Sequence, residues 1–175
     1  MINKKGFTLI ELLIIIAIIG ILVGIAATGG MALIDKTNVT NFIKQMNADF
    51  MDAQVSSMQR SRMHFIVLTP TSYTIFEDTT GGPNGDGILN IALDRRIKQV
   101  SISQRYAMTI PPLLAAGFNF TRRGNIVDSF GNDVVVQQNF RVTQNFNAPL
   151  DCIAIIPPRT RAGVWDAVGG TCRVQ

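Results

Sequence analysis

The residues of this 175-residue chain that can do chemistry are few and scattered. Glu11 is the one charged residue between Phe7 and Ala27. A carboxylate near the start of an otherwise apolar helix costs roughly 2–4 kcal/mol in hydrocarbon unless it is paired or lies near the interface. Cys152 and Cys172 are the two cysteines, with no metal-type spacing around either. In an exported domain such a pair is expected to oxidise. The bridge would close a loop of about 20 residues and contribute on the order of 3 kcal/mol through chain entropy; the alternative is two unpaired buried thiols. Arg159-Thr160-Arg161 follows Pro157-Pro158. Paired arginines suit phosphate contact, and Trp165 could stack on a base; the plainer reading is a solvated loop or a subunit-contact patch. Asp78, Asn84 and Asp86 offer oxygen atoms to calcium, but the alternating ligands and closing Glu of an EF-hand are missing. Asn84-Gly85 and Asp86-Gly87 are also strong turn formers, so this segment reads as a hairpin loop. His64, the single histidine, falls inside a predicted strand without a Cys or Ser partner, which is a structural position. No P-loop, G-x-S-x-G or metal-ligand cluster occurs.

These residues need elements to hold them. Phe7 to Ala27 is almost wholly apolar. At about 1.5 Å per residue a helix of that length reaches about 31 Å, enough to cross a bilayer core. Lys4 and Lys5 precede it and keep the N-terminal end cytoplasmic, so the remainder faces the periplasm or the exterior. Residues 29–62 continue as amphipathic helix. Val39, Phe42, Ile43, Met46, Phe50 and Ala53 recur at three- and four-residue spacing, opposite Lys36, Asn41, Lys44, Gln45 and Asp52. Gly20 and Gly24 permit close helix contact, and Gly29-Gly30 offers a flexible point. After Arg62 short strands are predicted at 64–68, 73–76, 97–102, 118–120, 134–138, 141–144 and 152–156, separated by turn-rich segments such as Glu77 to Gly87. The expected fold is α+β: a long N-terminal α-helix, its first half transmembrane, packed on a small, mainly antiparallel β-sheet head over residues 63–175. The formal charge is +4, or +2 without Lys4 and Lys5, too mild by itself to argue for nucleic acid.

A secretory signal peptide would end in small residues for cleavage, as Ala26-Ala27-Thr28-Gly29 could provide; a plain signal anchor needs only length. Neither explains Glu11. The stretch Lys5-Gly6-Phe7-Thr8-Leu9-Ile10-Glu11-Leu12 resembles the processing site of type IV pilins and type II secretion pseudopilins. The resemblance implies that residues 1–6 are a leader, that prepilin peptidase cuts between Gly6 and Phe7 and methylates Phe7, and that residues 7–28 remain as a transmembrane and filament-core helix. It also makes Glu11 the assembly glutamate. In a dry bundle Glu11 of one subunit can meet the Phe7 amine of another. Low dielectric strengthens that pairing, and desolvation disfavours a misplaced carboxylate. A single buried polar contact also sets register. The alternative is that Glu11 pairs only with its own N-terminus.

The remainder is similar to the minor pilin and pseudopilin branch called the GspH/FimT family. The likeness lies in Ser61-Arg62-Met63-His64-Phe65-Ile66-Val67-Leu68, in the Gly/Asn/Asp loop after Phe76-Glu77-Asp78, and in Phe118-Asn119-Phe120-Thr121-Arg122-Arg123-Gly124. It implies a structural subunit, a minor pilin or pseudopilin of a type IV pilus or type II secretion filament, acting in assembly or priming. The implied location is the inner membrane with the head in the periplasm, then the filament. The implied partners are other pilin or pseudopilin subunits, prepilin peptidase, the inner-membrane assembly platform and, before assembly, membrane lipid. Some members bind DNA during uptake through a C-terminal Gly-Arg-x-Arg motif. Arg159 and Arg161 match its arginines, while Pro158 stands in place of the glycine, so a DNA-binding minor pilin is the alternative. The reading is not an enzyme, with no cofactor and no metal.

Overall fold

The computed structural model describes residues 7–174, with residues 25–29 as backbone only. Gly6, Lys4 and Lys5 lie outside the described residues. The chain divides into two compact units, Met1–Asp35 and Lys36–Gln175. One helix, α1 (Leu9–Arg60), is assigned without interruption, Gly29-Gly30 included. In the first unit its apolar side chains are open all round: Leu9 is 77% exposed and Val23 61%. Among the described residues no helix is long and apolar enough to cross a membrane.

The second unit encloses a core. The predicted stripe of α1, Val39, Phe42, Ile43, Met46, Phe50 and Ala53, is buried in full. It packs on two antiparallel sheets of five strands each. The first runs in the order β3 (Arg95–Ser101), β2 (Ser72–Glu77), β1 (His64–Thr69), β5 (Phe118–Phe120), β6 (Ile126–Asp128). The second runs β10 (Thr171–Val174), β9 (Arg159–Asp166), β8 (Cys152–Ile156), β7 (Gln138–Val142), β4 (Met108–Thr109). Phe50 joins the layers: its ring meets Tyr73 at 5.6 Å and Phe118 at 5.3 Å, both edge to face, and Phe118 stacks on Phe140 of the second sheet at 6.1 Å. Each such pair contributes about 0.5–1.5 kcal/mol beyond its buried area. Asp49 ties α1 to the first sheet by accepting from the Tyr73 hydroxyl (2.6 Å) and from Lys98 Nζ (2.7 Å).

The helix ends in a Schellman motif. Ser61 takes a left-handed conformation (φ 51°), its N–H reaches Met58 O at 3.4 Å, and Arg62 N–H reaches Ser57 O at 3.2 Å. The chain then turns directly into β1.

The α+β expectation holds, with two corrections. The head is two sheets rather than one. The strands predicted at 134–138 and 141–144 merge into one, β7, which overlaps both; the first run does not form a strand of its own, since Val134 alone of it turns inward while Val135 and Val136 are 83% and 63% exposed.

The C-terminal strands fold tightly. Residues 159–163 of β9 pair with β8, and residues 163–166 pair with β10. Gly163 is therefore partnered on both sides, by Cys152 and by Val174, and a Cβ there would overlap the Arg173 carbonyl. Cys152 and Cys172 are joined by a disulfide, Cα to Cα 5.9 Å, across this bend. Gln137 Nε2 donates to Cys172 O, and Cys172 N–H donates to Asn139 Oδ1, both at 3.4 Å. Besides the β8–β9 ladder, the hairpin is held by the covalent link to β8 and by two polar links to Asn139 of β7 and to Gln137 just before it.

Candidate functional site

The start of α1 is capped by Thr8, in a stretch Thr8-Leu9-Ile10-Glu11 with capping-box spacing. Thr8 is the N-cap: its hydroxyl accepts from Glu11 N–H at 3.3 Å, and its carbonyl accepts from Leu12 N–H at 3.2 Å. Glu11 therefore occupies the first turn, where the helix macrodipole favours a negative side chain. The S/T-x-x-E spacing is the signal that could have found this local role, which is separate from the inter-subunit role argued above. The Glu11 side chain is exposed, as is Phe7 at 71%. Among the described residues the Glu11 carboxylate has no ion-pair partner. Gly20 and Gly24 face open space, with nothing within 4 Å of an added Cβ. What the first unit offers is an acid in the first turn of a greasy rod whose whole circumference is free.

The arginines stand elsewhere, in the second unit. Arg159 and Arg161 are not on a loop, as the sequence suggested, but on β9, exposed on one face with Thr160 buried between them. Pro157-Pro158 makes the turn before them. Gln54 of α1 donates to Pro158 O (2.6 Å) and to Gly124 O (2.7 Å). That one side chain brings the Gly124 and Pro158 carbonyls together, while Arg122 reaches the Gly85 carbonyl and Arg159 and Arg161 line a groove with Asn47, Met51 and Leu150. Trp165 does not present a bare face there, since the Arg141 guanidinium lies over its ring at 4.6 Å. The Trp165 backbone N–H donates to Asp151 Oδ1, and burial pushes the pKa of that carboxyl up.

Residues 1–27 match the family model described as the prokaryotic N-terminal methylation motif. No curated protein and no solved structure matches the chain. The leader match is thus of type IV pilin-like, prepilin kind, and it covers Phe7 and Glu11 together with Gly6. It says nothing of the residues after 27, where the arginines and the disulfide lie.

The remaining sequence candidates resolve into structure. Asp78 is buried and accepts from Asp86 N–H (3.2 Å) and Gly87 N–H (2.8 Å); burial nevertheless pushes its pKa up. Its carboxylate fills the space that a side chain on Gly85 (φ +80°) would need. Asp86 turns to Ile88 N–H at 2.9 Å. These carboxylates stabilise loop backbone, as the hairpin reading expects, and among the described residues no group of acids, His and Cys gathers to hold a metal.

His64 sits on β1, fully buried opposite Glu77. Its Nδ1 lies 3.3 Å from Arg62 O, and Nε2 has no partner. Burial pushes the imidazole below its ordinary pKa, with Glu77 working against that and Arg60 and Arg95 with it. Glu77, also buried, is paired with Arg60, Arg62 and Arg95. Nothing in the sequence marked Glu77 as the hub of that cluster. Its signal was a carboxylate at the end of a strand facing two cations in β3.

Proposed function

We propose that the chain is a structural filament subunit, a minor pilin or pseudopilin of a type IV pilus or type II secretion filament acting in assembly or priming, and not an enzyme. The observation that carries this reading is the match of residues 1–27 to the methylation motif. It is supported by a helix whose first unit exposes apolar side chains on every side. A helix apolar all round belongs in lipid or inside a bundle of its own kind. In this reading prepilin peptidase cuts after Gly6 and methylates Phe7. Residues 7–28 hold the chain in the inner membrane with the head in the periplasm, and the assembly platform then moves it into the filament, where Glu11 pairs with the Phe7 amine of a neighbour.

Mass analysis of the mature chain should find it beginning at methylated Phe7; a chain trimmed near Ala27 would end the reading. Glu11→Gln separates the two roles of that residue. Glutamine keeps the capping-box geometry but not the charge. Membrane insertion should persist, and recovery in sheared filaments should fall as far as it does for Glu11→Ala.

A second reading is favoured by Arg159 and Arg161, exposed together at the N-terminal end of β9. None of Arg123, Arg159 and Arg161 makes an ion pair among the described residues. Exposed, unpaired guanidinium groups bind polyanions with strong salt dependence, so this end would take up DNA. A gel shift with detergent-solubilised chain, titrated with salt, tests it. An Arg159→Ala/Arg161→Ala variant that binds as well as the parent counts against it.

A further inference from the structure

Strand β9 has an open edge. β8 runs along residues 159–163, while β10 covers residues 163–166 and places its last paired residue, Val174, opposite Gly163. Among the described residues, 159–162 therefore have a ladder partner on one side alone. A groove of about 320 Å³ lies there, lined by Arg159, Thr160, Arg161 and Ala162 and walled by Asn47 and Met51 of α1. Successive side chains of a strand point to opposite faces, and here Thr160 is buried while Arg159 and Arg161 are exposed. A groove bordered by four consecutive strand residues thus follows the strand's edge rather than one of its faces, and β8 already fills the other edge.

The groove's own residues carry unmet polar groups. Thr160 is 4% exposed and its hydroxyl has no hydrogen-bond partner, nor has Asn47 Oδ1. Such groups cost free energy when buried, and the main chain of an added strand brings N–H and C=O groups in a row. A phosphate backbone brings acceptors only, which leaves Asn47 Oδ1 unmet. Arg159 and Arg161 make no ion pair among the described residues. They stand two residues apart on one face, so a paired strand sets its own alternate residues opposite them. Charges on an edge also guard it against aggregation. Two arginines turn away basic strands and admit an acidic one.

We propose that the open edge of β9 receives an extended segment of another filament subunit as an added strand, with acidic side chains at alternate positions facing Arg159 and Arg161. The proposal rests on the filament-subunit reading. A second copy of this chain does not fit. Its sequence holds no two carboxylates two positions apart. Its edge strand β3 carries Arg95, Arg96 and Lys98, and β9 laid against β9 sets arginine beside arginine. Several of its acids are also spent inside the head. Asp78 and Asp94 brace the loop over residues 78–94, where Asp94 accepts from the N–H groups of Thr79, Thr80 and Asn90. Asp128 accepts from the N–H groups of Phe130 and Asn132 and braces its own loop.

The test uses the full chain in cells that assemble the filament. A photo-crosslinking residue in place of Met51, on the helix wall of the groove, should capture another subunit through a peptide with two carboxylates two positions apart. Arg159→Glu/Arg161→Glu should lower sheared-filament recovery at least about tenfold, since it sets like charges together. Changing the two captured carboxylates to lysine should restore that loss. Arg159→Lys/Arg161→Lys keeps the charge and should hold recovery near the parent's. Membrane levels and formation of the Cys152–Cys172 bridge on non-reducing gels should stay unchanged throughout. Arg159→Gln/Arg161→Gln serves as the milder variant if the glutamate variant fails to form the bridge. Parental recovery of the charge variants, in cells where Glu11→Ala abolishes it, overturns the added strand and leaves the subunit reading standing. Capture at position 51 of a second copy alone, of nucleic acid alone or of nothing also overturns it. A parent chain absent from sheared filaments removes the subunit reading, and the proposal with it.

Discussion

The two units of this chain use apolar residues in opposite ways. In the second, α1 buries one stripe, and a single cluster joins that stripe to both sheets. In the first, Leu12 to Leu22 are apolar in nearly every position and all of the large ones are exposed. The same secondary structure therefore serves two solvents. One stretch carries its partners within its own chain; the other leaves its large apolar side chains open among the described residues. Removing a methylene from the first should matter only where outside partners are present, while removing one from the second should matter to the isolated protein.

The sharpest break of that comparison sets Phe50→Ala against Ile16→Ala. Phe50 is fully buried and touches rings from two elements. Its truncation should destabilise the head by about 3–5 kcal/mol, seen as a lowered denaturation midpoint. Ile16 is 54% exposed, and its truncation should leave that midpoint unchanged. Equal effects would mean that the first unit has intramolecular partners after all.

The disulfide comes next. Cys152→Ser/Cys172→Ser should lower head stability by about 3 kcal/mol through the lost loop constraint. Dithiothreitol should do the same to the parent and nothing to the variant. The bend at Gly163 predicts that the effect concentrates in β9 and β10, so amide exchange should rise there first and in β1 and β2 last.

A smaller effect is expected in the braced loop. Asp94→Ala frees the N–H groups of Thr79, Thr80 and Asn90 at once. Each lost buried acceptor costs about 1–3 kcal/mol where water cannot replace it. Because this loop lies at the surface, water recovers part of that cost. The expected outcome is faster proteolysis within residues 79–93, with the global midpoint shifted by about 1 kcal/mol.

How much of this was legible beforehand follows from the same contrast. The leader, the apolar run and the buried stripe of α1 were readable because each is a local pattern: a fixed spacing, a length or a period of 3.6. Strands β1, β2, β3, β5 and β8 were readable from β-branched and aromatic runs. β9 was not. Its Arg-Thr-Arg-Ala-Gly-Val-Trp sequence puts only small groups inward at Thr160 and Ala162, and it follows two prolines, so it reads as a loop. The meeting of the Gly124 and Pro158 turns was also hidden, because it depends on Gln54, a helix residue 70 positions from Gly124 and 104 from Pro158. Asp78 read as a candidate calcium ligand, and Asp94 and Asp128 had no assigned role. Only their partners reveal that they are loop braces, and that the exposed face is more basic than a formal charge of +4 implies.

The subtlest test concerns His64, which sits where the first sheet meets the end of α1. Its folded-state pKa lies below the ordinary value near 6.5, chiefly because burial disfavours the charged ring. Below pH 6.5 the unfolded chain therefore binds a proton that the folded chain resists. Stability is fully present above that pH and is lost as pH falls, by up to about 1.4 kcal/mol per pH unit for one proton. Asp94 and Asp128 have lowered pKa values and act in the same direction, but only near and below 3.8. Asp78 and Asp151, raised by burial, act in the opposite direction as pH rises above 3.8. The slope just below pH 6.5 thus belongs to His64, faced by Glu77 across the strand pair, by Arg60 from α1 and by Arg95 from β3. His64→Asn keeps a donor for the Arg62 carbonyl and removes the titration. Denaturation midpoints at pH 7.5, 6.5 and 5.5 should decline for the parent and stay nearly level for the variant. Parallel decline in both would mean that the acid sensitivity lies in another group.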